Sequence, residues 1–115
     1  MRATLFALLS FLSFSCGAEF KDGNTLYAQL VDFARDQSNN VVGASHGFGY
    51  VIGVVDALNG VRHPSTKLCF SIPDGVRARQ LTDTVRMYLE NNPQMRHYSA
   101  NSLVATALSI AFPCR

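Results

Sequence analysis

No run of basic residues occurs anywhere in the 115-residue chain, whose net charge is only +2. The electrostatic footprint that nucleic acid demands is therefore missing. No internal repeat, low-complexity tract or Pro/Gly-rich linker interrupts residues 19–115, which excludes a solenoid or a string of domains and leaves one unit. His46, His63 and His97 are isolated, and none is paired with a His, Cys or acid at a metal-ligand spacing on an expected helix. No metal or cofactor is expected. The N-terminal apolar run, Ala3 to Phe14, is about a dozen residues where a spanning helix needs roughly 20. No stable membrane anchor is expected from it.

What that run does resemble is the core of a secretory signal peptide. Arg2 precedes it, and Cys16 and Ala18 supply the small residues that signal peptidase requires before a cut after Ala18. Acylation of Cys16 is the minor alternative, because Ser13 stands where a lipobox prefers Leu. Export to the periplasm is the expectation, with residues 1–18 removed and 19–115 forming one domain. Of three cysteines, only Cys69 and Cys114 then remain. In an oxidising compartment they should be bonded to each other.

Four helices are expected, giving an all-α fold: a small bundle of about four helices closed by one disulfide. The first spans about Thr25 to Gln37, with Asn24 as N-cap and Leu26, Leu30, Phe33 and Ala34 inward. The second, about Phe48 to Leu58, is apolar all round except for Asp56. Asp56 is accordingly expected to be a buried acid held by a partner, since an unpaired buried carboxylate is costly. Gly60 suits a left-handed cap, and Gly49 and Gly53 should admit a neighbouring helix at close range. The third starts at Pro73 and ends near Asn91, with Val76, Leu81, Val85, Tyr88 and Leu89 inward. Arg79, Asp83, Arg86 and Glu90 form an ion-paired solvent stripe on it. The fourth, about Ser99 to Phe112, places Ala100, Leu103, Val104, Ala107, Leu108 and Ala111 on one face before Pro113. A short connection makes the last two helices antiparallel, which brings Cys69 and Cys114 to the same end.

Gly43-Ala44-Ser45-His46-Gly47 matches the G-x-S-x-G turn of α/β-hydrolases. A nucleophilic Ser45 would need a preceding strand and a large sheet, which a small helical domain does not supply. Gly47, Gly49 and Gly53 are spaced one residue too widely for a dinucleotide fingerprint. No enzyme is expected. The exposed polar loop Arg62 to Lys67, next to Cys69, is the segment best suited to reach a partner, with Arg62, His63 and Lys67 its contact residues.

Three blocks carry a family resemblance: GNTLYAQL at 23–30, GYVIGVVDALNG at 49–60, and CFSIPDGVRARQLTDTVRMYLENNPQMRHYSANSLVATALSIAFPC at 69–114. With the signal peptide before them, the chain resembles the Rap/Tai type of immunity proteins, periplasmic antidotes to peptidoglycan amidases delivered by the type VI secretion system. The resemblance implies an all-helical domain, often a homodimer, that binds its cognate amidase effector and blocks the active-site cleft. It also places a structural disulfide at Cys69 and Cys114. Relatives carry a further Cys pair where this chain has Leu30 and Gly47. A periplasmic module of the same fold without a toxin partner is the alternative function.

Overall fold

A computed structural model describes residues 20–35 and 39–115. The expected signal peptide, its expected cut after Ala18 and Cys16 lie outside the described residues, as do Gln37 and Ser38 at the expected end of the first helix. The described residues form four α-helices and one 3-10 turn: α1 (Gly23–Ala34), α2 (Val41–Leu58), α3 (Ala78–Asn91), the turn Pro93–Met95, and α4 (Ala100–Ala111). Two isolated antiparallel bridges, Asp22 with Ser99 and Phe70 with Pro113, replace any strand among these residues.

Helix α1 begins two residues earlier than its periodicity suggested, because Asp22 and not Asn24 is the cap. The Asp22 carboxylate accepts from Thr25 N at 2.8 Å, satisfying a helix-end donor. That hydrogen bond is the main reason its pKa is lowered from the usual 3.8. The start of α1 also lies directly on the α3–α4 connection. Gly23 N donates to Tyr98 O at 3.0 Å and Asn24 N to Arg96 O at 2.9 Å. A Cβ on Gly23 would stand 2.7 Å from Arg96 O, so only glycine permits this approach.

Helix α2 starts at Val41, seven residues before the expected Phe48. Asn40 caps it, its Oδ1 accepting from Gly43 N at 3.0 Å. The helix packs on α1 through Ala44, Gly47 and Val51. A Cβ on Gly47 would lie 2.7 Å from Gln29 Cβ, and Phe33 and Phe48 stack with centroids 4.9 Å apart. Gly47 is therefore the α2 glycine that packs closely. Gly49 and Gly53 do not: nothing lies within 4 Å of the Cβ that either would carry. Asp56 likewise is exposed, not buried. The reason is the same for all three, since α2 buries the side bearing Ala44, Gly47 and Val51 and turns the opposite side to solvent. The left-handed cap at Gly60 is present, with φ +78°.

Pro73 does not open α3. Gly75 takes φ +89°, which breaks the helical path, and α3 begins only after Arg77, whose N–H donates to the Gln80 side chain at 2.7 Å. Leu81, Val85 and Leu89 are buried, as is Thr82, whose hydroxyl donates to Arg79 O at 2.9 Å. On the outer stripe Arg86 reaches Glu90 at 3.3 Å and Asp83 at 3.8 Å, while Arg79 lies over the Phe33 ring at 5.6 Å. In α4, Ala100, Leu103, Val104, Ala107 and Leu108 are buried and Ala111 is exposed. They meet Leu26 and Leu30 of α1, Val51, Phe70 and the α3 leucines in one core.

Candidate partner-binding surface

The end of the bundle away from the α1–α4 junction is closed by the Cys69–Cys114 disulfide, with Cα atoms 5.5 Å apart. Its two strands of chain run antiparallel: Ser71 N donates to Phe112 O at 2.9 Å and Cys114 N to Cys69 O at 3.3 Å. The bond joins the segment entering α3 to the segment leaving α4, as antiparallel packing of those helices requires.

From this base projects the loop that holds Arg62, His63 and Lys67, and the structure brings these three together. His63 N donates to Leu68 O at 2.9 Å and Lys67 N to His63 O at 3.0 Å, so the loop closes on itself. His63 Nδ1 then accepts from Ser65 N and Thr66 N, both at 3.2 Å. Acting as an acceptor on that nitrogen, the ring is the loop's internal cap. The Arg62 guanidinium donates to Lys67 O at 3.2 Å. Lys67 itself sits at φ +61°, a left-handed conformation that costs a non-glycine residue strain. Residues 61–67 are all exposed, so the loop is a solvent-facing projection whose shape is set by its own internal hydrogen bonds.

Two concavities flank it. A groove of about 220 Å³, mostly apolar, runs between the loop (Val61, Pro64, Leu68), Phe70 and the Asn101–Ala105 face of α4. A broader depression of about 760 Å³ overlies the disulfide, bounded by Arg62, Pro73, Phe112 and Arg115. Among the described residues no group of three His, Cys, Asp or Glu could hold a metal. Ser45 stands exposed in the interior of α2, so the strand-to-helix elbow that G-x-S-x-G chemistry requires is not formed there.

Sequence reasoning missed Arg96. Its guanidinium lies 3.9 Å from the Tyr27 ring centroid, and its Nε donates to Leu89 O at 2.7 Å. One side chain thus ties α1 to the carbonyl end of α3, where a cation is favoured. Nothing in local sequence marks it, since both partners are distant.

The described residues make a small helical domain, closed by a disulfide, that presents a pre-shaped polar loop beside an apolar groove. The chain belongs to the family of Rap1a immunity proteins, whose model matches residues 22–114. That span takes in all four helices and both cysteines of the disulfide. Among curated proteins none matches the chain. Membership makes it an immunity protein directed against a secreted effector, and implies a cognate effector as its binding partner.

Proposed function

We propose that this protein is a periplasmic immunity protein that binds a peptidoglycan amidase of the type VI secretion system and occludes its active-site cleft, without catalysis of its own. The family match over residues 22–114 carries this reading. The arrangement at the disulfide end supports it. A loop fixed by five internal hydrogen bonds loses little freedom on docking, and Arg62 and Lys67 put positive charge at its rim.

Titration of purified amidase with the protein should abolish hydrolysis near one binding site per amidase, with a dissociation constant of roughly nanomolar order. Arg62→Glu combined with Lys67→Glu should weaken binding at least tenfold while Asp83→Lys leaves it unchanged. Cells lacking the gene should be lysed by sister cells that secrete the amidase. If neighbouring-gene amidases neither bind nor kill such cells, the amidase reading fails and a toxin-free periplasmic module of the same fold replaces it.

A further inference from the structure

The loop beside the groove is held in shape by a titratable ring. His63 Nδ1 meets two backbone donors at once, Ser65 N and Thr66 N, each at 3.2 Å. A nitrogen that receives two N–H groups carries no hydrogen of its own, so the ring is neutral and its one hydrogen sits on Nε2. Nδ1 stands one bond beyond Cγ, where Oδ1 stands in Asn or Asp, and it takes N–H groups just ahead in the chain as those side chains do in turns. Asn and Asp are the ordinary residues for that task. Histidine performs it only while it is neutral.

Protonation removes this acceptor and supplies no substitute. Both ring nitrogens of an imidazolium are donors, so turning the ring over presents Ser65 N and Thr66 N with another N–H. The segment that must then give way is already strained. Lys67 has φ +61° and is kept there by Lys67 N donating to His63 O at 3.0 Å and Arg62 Nη1 donating to Lys67 O at 3.2 Å. An imidazolium also adds a third cation to a closed loop that carries Arg62 and Lys67. The groove that His63 lines is walled on its other sides by Asn101, Ser102 and Ala105 of α4 and by Leu58, Leu68 and Phe70, none of which titrates. Asp56, in the last turn of α2, is not part of that wall, and no acidic side chain lines either concavity beside the loop. Neither concavity therefore offers a carboxylate to hold the new charge.

We propose that His63 makes the loop acid-labile, so that the neutral ring holds the docking shape and protonation releases it, weakening the grip on the effector. Imidazole gains its proton between about pH 8 and pH 5. Because the ordered loop requires the neutral form, its order is present above that range and is lost as pH falls through it. A loop released in this way has to be ordered again on docking, which raises the dissociation constant. The effect on affinity rests on the reading that this loop docks the effector; the change in the loop itself does not.

Two measurements on the full mature protein, with its disulfide formed, separate these levels. In the free protein, the protection of the Ser65 and Thr66 amides against hydrogen exchange, relative to an unfolded chain at the same pH, should fall several-fold between about pH 7.5 and pH 5. His63→Asn, which keeps an acceptor at the same place and does not titrate, should hold that protection through the range. His63→Ala, which has none, should lack it throughout. In calorimetric titration of the neighbouring-gene amidase, the dissociation constant should rise roughly tenfold from about pH 7.5 to pH 5, and the rise should vanish in His63→Asn. Any pH dependence that the variant shares with the wild type belongs to the amidase or to another histidine. Protection of Ser65 and Thr66 that persists in acid, or a rise in dissociation constant that survives in His63→Asn, would overturn the proposal. If the amidase binds at no pH, the functional reading fails, and the exchange of the two amides still decides whether the loop switches.

Discussion

Replacing Cys69 and Cys114 together by Ala tests the architecture most directly. The bond closes a loop between residues 45 apart in sequence. Constraining a loop of that length removes about 13 cal/mol/K of chain entropy from the unfolded state, which is about 4 kcal/mol at 25 °C. A domain of this size is stable by only about 5–10 kcal/mol in total, so the variant keeps a small remainder. In a urea titration followed by circular dichroism, the free energy in water should fall by about 3–5 kcal/mol, and the melting temperature by about 15–30 °C. The hydrogen bonds Ser71 N to Phe112 O and Cys114 N to Cys69 O hold the two segments together in the native state, so the variant should keep its helical spectrum. Most of the loss should appear as destabilisation and little as structural change. A loss below about 1 kcal/mol would refute the reasoning, by showing that the unfolded chain is already constrained at this point.

Arg96→Ala should cost about 2 kcal/mol in urea unfolding, since it removes both the contact over Tyr27 and the charge-assisted bond to Leu89 O; Arg96→Lys should recover only part. Gly47→Leu should destabilise by about 1–3 kcal/mol, because the new side chain is driven into Gln29 of α1, and thermal melting reads this directly. Asp22 ties stability to pH. Its folded pKa is lowered, chiefly by the bond from Thr25 N, so its contribution is present above about pH 4 and lost as pH falls through the lowered value. Asp22→Asn, which still caps, should flatten the fall in melting temperature between pH 4 and pH 2; an unchanged slope would contradict the assignment.

Helices α3 and α4 were legible from spacing because each has one apolar side and one polar side. The disulfide was legible from arithmetic, since setting Cys16 aside with the expected signal peptide left Cys69 and Cys114 to pair. The first half of the chain was less so. Val41 to Gly47 holds two glycines, a serine and a histidine and reads as a loop, yet the Asn40 cap and the seating of Gly47 on α1 carry the helix through it. In α2 nearly every position is apolar, so periodicity could not tell the inner side from the outer. Asp56, Gly49 and Gly53 were placed inside for that reason and lie outside. Pro73 followed the rule for a first helical residue, and Gly75 two positions later overrode it. On the exposed loop, the positions of Arg62, His63 and Lys67 were visible as a polar stretch. The left-handed Lys67 and the capping role of the His63 ring were not, because both arise from loop closure.

The pairing of the two ends of the domain dictates when this chain can finish folding. Lys21 O accepts from Ala100 N at 2.9 Å and Asp22 bridges Ser99, so the first described residues are held by the start of the last helix. A chain that emerges N-terminus first, from a ribosome or an export channel, can form the α1–α2 hairpin early and then has to wait. Leu26 and Leu30 stay without their α4 partners until residues beyond 100 appear, and Cys69 meets no Cys114 until residue 114 is out. Contacts this distant in sequence are entropically late. The domain thereby becomes a closed body only once residues 100–114 are available to pair with its first half.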